Sequence, residues 1–322
     1  MNVFDYTAIS DDAVRTEYKH LLRRSKSIAA SVHRAYGTGK KTIETVYISG
    51  QCFNSYASET DDHYLIQLDS SIPLFSIILF GRLLSDPTVL PYLNTSGDFV
   101  SDYSLPAIAD PADFSARREW KIGFNAIRSF AAGTLADICS TFVLCHEVGH
   151  VMSGHVEGLK HYEGEEGIAE LTSYVAPSKT RYERRQAWEY DADAIASTLM
   201  IHFIAEMVEN AKTHKKMEEI FGRADHTVEH TLSIAIVALF AFFNYMRGVR
   251  HKLQLKTTHP HPLVRAYCIR DLLVSAASAR WDIDMDALER LVDERFEEFI
   301  TAMEKIDLFD FTIFDRESLL SR

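Results

Sequence analysis

Residues 137–152 read DICSTFVLCHEVGHVM, and the rest of the chain can be organised around them. Ile138, Phe142, Val143, Leu144, Val148, Val151 and Met152 surround the segment with apolar side chains at helical spacing, which predicts a buried helix. On that helix His146 and His150 stand one turn apart on the same face, so both imidazoles can reach one ion. Neutral imidazole is a good zinc ligand, and two ring nitrogens leave room for a third protein ligand and a water. Glu147 projects from the flank of the same face, where a carboxylate could accept a proton from that water. One helix step turns Cys145 by about 100° from His146, which predicts a packed thiol rather than a ligand.

A third ligand must come from elsewhere. The metzincin pattern requires a Gly three residues and a His six residues after the second His; Ser153 and Val156 occupy those places, and His155 falls one residue short. The alternative, the gluzincin pattern, takes a Glu from a second helix, with an acid one turn later to orient a ligand histidine. The segment WEYDADA, residues 188–194, offers Glu189 as ligand and Asp193 as orienting acid, with Ala192, Ala194 and Ala196 small enough for close helix packing. Glu166, with Glu170 one turn on, is the rival; Glu183 meets only Ala187. His155 reads as lying on the motif helix, too far round to join the ligands, and is expected to support them or the packing. Arg181, Arg184 and Arg185 read as a solvated face.

The bulk properties narrow the function class. A formal net charge of −12 argues against a nucleic-acid binder and against anionic membrane. Four cysteines without CxxC spacing suggest neither a disulfide framework nor a thiolate metal site, and fit a reducing compartment. The start, MNVFDYTAISDD, carries no apolar signal region, so a cytoplasmic protein is expected. The longest apolar run, Thr231 to Met246, is 16 residues, short of the roughly 20 a membrane span needs, and predicts a core helix with no stable membrane insertion.

Elsewhere the pattern predicts an α+β fold, predominantly helical, with a zincin-like catalytic core and a small N-terminal sheet. Asp12 to Tyr36 reads as a helix, Thr42 to Ser49 and His63 to Asp69 as strands, and Ile72 to Leu84 as a short apolar helix. Four prolines within residues 86–112 mark a long loop. From Phe114 the pattern is helical, with expected breaks near Gly133, across 156–180 and around Pro260 and Pro262. Three regions follow, expected to form one compact unit: an N-terminal helix and sheet (1–112), a helical metallopeptidase core (113–275), and an acidic C-terminal helix and tail (276–322) with Leu288, Leu291, Phe296 and Phe299 as its apolar stripe. The glycine-bearing insert Val156 to Lys179 is expected to act as a mobile cover on the cleft.

HEVGH, then EYDAD, then Thr258-His259-Pro260 with Arg265 six residues past His259, resembles the CAAX-prenyl-protease and HtpX-like group of gluzincins, and more closely the soluble phage-exclusion (Lit-type) peptidases. The resemblance covers roughly residues 130–270. The 38 residues between His150 and Glu189 make a longer connection than the Lit type. What the resemblance implies is one Zn2+ ion on His146, His150 and Glu189, with Glu147 as general base and Asp193 behind the ligands. It also implies catalytic roles for His259, which could donate a hydrogen bond to the oxyanion, and Arg265, which could orient it or hold a substrate carbonyl or carboxylate; a protein or peptide substrate and a bacterial role in phage defence are implied too, with room for an activating or inhibiting protein partner. An edge strand often aligns substrate in such proteases, and Tyr64 to Asp69 is the expected one. The alternatives are a zinc hydrolase of a non-peptide bond and a non-catalytic, metal-stabilised binding module. His261 rivals His259 for the same role.

Overall fold

The computed structural model describes residues 3–8, 12–36, 41–49, 54–93, 126–164, 167–169, 179–222, 226–252, 260 and 262–305. Helix α1 (Asp12–Tyr36) leads into strands β1 (Thr42–Ile48), β2 (Ser55–Glu59) and β3 (His63–Asp69), followed by helix α2 (Ser71–Leu83). Then come α3 (Ala126–Met152), α4 (His155–Glu163), strand β4 (Gly167–Ala169), α5 (Lys179–Thr213), α6 (Lys215–Phe221), α7 (Thr227–Lys252), α8 (Pro262–Ser278) and α9 (Met285–Lys305). The fold is α+β and predominantly helical.

The four strands lie in the order β1-β3-β2-β4. Alternation explains which face is covered: Ile43, Thr45, Tyr47, Ala57 and Ile66 are buried while their strand neighbours are half-exposed or exposed, as the period of two requires. Helix α1 packs on β1, and α3 on β2 and β3. The Tyr18 hydroxyl donates to the Ser70 carbonyl and ties α1 to the end of β3. Strand β3 pairs parallel with β1 and antiparallel with β2, so Tyr64 to Asp69 is a central strand. Its backbone is committed on both sides, and the expected substrate-aligning edge is not there. The outer strands are β1, bridged by Val3 at Ile48, and β4.

Three other expectations change. Helix α3 runs unbroken through Gly133; an interior glycine costs about 1 kcal/mol relative to alanine, and Ala131, Ala132, Leu135 and Ala136, all buried around it, outweigh that. The segment expected as a cover contains α4 and β4, paired to β2 from Tyr56 to Ser58, so these parts belong to the ordered body; residues 170–178 lie outside the described ones. Arg181, Arg184 and Arg185 are no solvated face: all three turn onto the buried Glu163 carboxylate and join the end of α4 to the start of α5.

Among the described residues two helices, Ala126–Met152 and Thr227–Met246, are long and apolar enough to cross a membrane, yet 72% and 83% of their most apolar windows are buried inside the fold. They are core helices here. Leu288, Leu291 and Phe299 of α9 are buried and Phe296 meets Phe240 edge-on at 4.6 Å, so the acidic helix docks its apolar stripe largely on α7. The 112/113 boundary and the tail beyond Lys305 fall outside the described residues.

Candidate metal centre

Helices α3 and α5 form the most extensive helix pair among the described residues, and their close approach rests on two small residues. A Cβ placed on Gly149 would lie 2.8 Å from the Ala192 carbonyl oxygen and 2.9 Å from its Cα, so only glycine permits this crossing. The approach lays His146, Glu147 and His150 against Glu189 and Asp193, each at most 3% exposed.

The Nε2 atoms of His146 and His150 are 3.1 Å apart. Glu189 places Oε2 3.3 Å from the first and Oε1 3.5 Å from the second. Behind His146, Nδ1 donates to Asp193 Oδ1 at 2.9 Å, which leaves a lone pair on Nε2 facing inward. Asp193 is held in turn by Arg265 of α8, whose Nε and Nη2 donate to its two oxygens at 2.9 and 2.8 Å. The buried guanidinium also lies 3.8 Å from Glu189 Oε2 and rests over the Phe243 ring.

Two tests of this set agree. Nitrogen and oxygen ligands at roughly 2.0–2.1 Å in tetrahedral array stand about 3.3 Å from one another, close to the separations found. Charge gives the second test: three buried carboxylates, Glu147, Glu189 and Asp193, face one buried guanidinium, Arg265, a formal excess of two negatives. Charges taken out of water are tolerated only when balanced, and a divalent cation supplies that balance. His146, His150 and Glu189 could hold a metal ion.

Glu147 points to the sheet side of the site. Ser55 Oγ, at the start of β2, donates to Glu147 Oε1 at 2.6 Å, both groups being buried. Sequence reasoning missed Ser55, because one polar serine in SYASE, 92 residues before the base, carries no periodic or motif signal.

His155 sits differently from the expectation. Helix α3 stops at Met152, and Gly154 takes a left-handed conformation at φ +68°, so His155 opens α4 and folds back on the site. Its Nδ1 is 3.0 Å from His150 Nδ1, its ring stacks on Trp188, and burial pushes its pKa down to about 4 against the opposing influence of Asp191. Burial likewise raises the Cys145 thiol to about 12, as for a packed thiol.

The structure thus brings together His146, Glu147, His150, Glu189, Asp193 and Arg265. His259, His261, Glu166 and Glu170 lie outside the described residues. What fold and site define is a helical α+β protein with a buried, carboxylate-rich centre able to take a cation. The profile of the Peptidase U49 family, a peptidase family of the Lit type, matches residues 103–281, and the chain belongs to that family. It is a peptidase. No curated protein and no solved structure matches the chain.

Proposed function

We infer that the protein is a zinc-dependent endopeptidase with Glu147 as general base. The observation that carries this reading is the convergence of two imidazole Nε2 atoms and the Glu189 carboxylate within 3.1–3.5 Å, next to a glutamate on the same helix. Two nitrogen donors favour zinc over magnesium or calcium, which prefer all-oxygen sites. Zinc bound there would polarise the scissile carbonyl and acidify a water. Glu147 takes the proton of the attacking water and passes it to the leaving amine, and Ser55 holds its carboxylate during both transfers. Arg265 serves the site through Asp193, which fixes His146. His259 is proposed as the donor to the developing oxyanion.

Family membership supports a peptide bond over other substrates, and a base beside the ligands argues against a purely structural metal. The resemblance in motif order supports a cytoplasmic role, cleavage of an intracellular protein and bacterial phage defence. Cys139, Cys145 and Cys268 are free thiols, which suits a reducing compartment. The test is metal analysis of the purified protein combined with peptide cleavage by the wild type and by Glu147→Gln. One zinc per chain is expected in both, with turnover lowered on the order of 10²–10⁴-fold in the variant. A wild type without zinc, or a Glu147→Gln enzyme that cleaves normally, would sink the reading.

A further inference from the structure

The two ligand histidines are held by unlike partners. His146 leans on a buried carboxylate, Asp193, itself clamped by Arg265. His150 leans on another imidazole: His155 Nδ1 lies 3.0 Å from His150 Nδ1, and both rings are buried. We propose that His155 is a positioning residue that fixes the tautomer and ring plane of His150, and so sets how tightly the centre binds its metal. The inference rests on the metal reading of the site given above.

The tautomer follows from the contact. Only one proton fits between two Nδ1 atoms 3.0 Å apart. A histidine that offers its Nε2 lone pair to a metal must carry its proton on Nδ1, so His150 donates and His155 accepts. His155 then bears its own proton on Nε2. That N–H faces Asp191 Oδ2 at 3.6 Å, longer than a hydrogen bond but of the right sign to favour the proton there. The orientation is enforced from both sides: the ring stacks on Trp188 at 5.2 Å with an 18° interplanar angle, and Gly154 makes the left-handed turn that returns the chain to His150. Gly158 leaves room for Trp188, since a Cβ there would come within 3.2 Å of the indole.

A neutral acceptor also suits the charge of the site. The divalent cation already balances the two buried carboxylates in excess of the guanidinium, and a carboxylate in place of His155 would add one unbalanced charge. An imidazole fixes the second ligand without that penalty.

The test is zinc affinity by chelator competition on the full-length protein, for wild type, His155→Phe and His155→Gln, with the cobalt-substituted absorption spectrum of each. Phenylalanine keeps the stack on Trp188 but cannot accept; glutamine can accept through its side-chain oxygen. Affinity is expected to fall about 10–100-fold in His155→Phe, with an altered cobalt spectrum and unchanged thermal stability of the metal-free form. His155→Gln should recover most of the loss. Wild-type affinity in His155→Phe would overturn the proposal, as would equal weakening in both variants, because acceptance would then be irrelevant. Failure of the underlying reading looks different: the wild type itself would not bind zinc.

Discussion

At the residue scale the site is a set of side chains whose free ends are chosen by what holds their other ends. Asp193 accepts the hydrogen bond of His146 Nδ1, which turns Nε2 toward Glu189; Arg265 donates to Asp193, and Ser55 donates to Glu147. The Ser55 contact links the sheet to the base, and a general base acts only where its lone pair is aimed. Ser55→Ala should therefore lower kcat on the order of 10- to 100-fold while KM and zinc content stay near wild type. Ser55→Thr keeps the hydroxyl and suits a strand, so it should restore most of the rate. Unchanged kcat in the alanine variant would reduce the contact to packing. Of these links the sequence displayed HEVGH and the Glu189–Asp193 pair, because helical spacing makes them periodic. The Ser55 link spans strand and helix, and no local pattern encodes it.

At the scale of elements, the long apolar or β-branched segments were legible and the short ones were not. The strand expected at His63 to Asp69 coincides with β3, and the helix expected over Asp12 to Tyr36 with α1. Strand β2, SYASE, is too polar to declare itself, and β4, GIA, too short; both exist because neighbours supply their hydrogen bonds. Missing β2 is what made β3 look like an edge. Glycine carries information of a different kind. Gly149 is the x before the second His of the motif, where any residue fits the spacing, but only its lack of a Cβ lets α3 meet Ala192 of α5. Gly149→Ala should push the helices apart against backbone atoms that cannot swing aside, at a cost of about 1–3 kcal/mol. Because the same crossing brings Glu189 to the histidines, zinc affinity should fall with stability. Urea unfolding together with chelator competition would check this, and wild-type values in both would show that the crossing has slack.

At the scale of the whole molecule, the centre joins helices far apart in the chain: α3 supplies His146, Glu147 and His150, α5 supplies Glu189 and Asp193, and α8 supplies Arg265. Their meeting point carries three buried carboxylates and one guanidinium, so the metal-free protein has a formal excess of two negative charges at the middle of its helical body. A cation that binds only the folded state adds RT ln(1 + [L]/Kd) of stability, roughly 4 kcal/mol at a thousandfold excess over Kd. For a chain of this size that corresponds to a shift in Tm on the order of 5–10 °C. Calorimetry with and without a strong chelator should show this drop, reversed by added zinc and not by magnesium. The sign of a charge substitution distinguishes this account from a metal that merely rests on the surface. Glu189→Gln removes one negative charge from the pocket while keeping its shape, so the metal-free variant should melt above the metal-free wild type. The same change removes a ligand, so the gain on adding zinc should shrink. A metal-free Glu189→Gln that melts below the metal-free wild type would mean that its carboxylate is already satisfied by Arg265, 3.8 Å away, and that the helices need no cation to stay together.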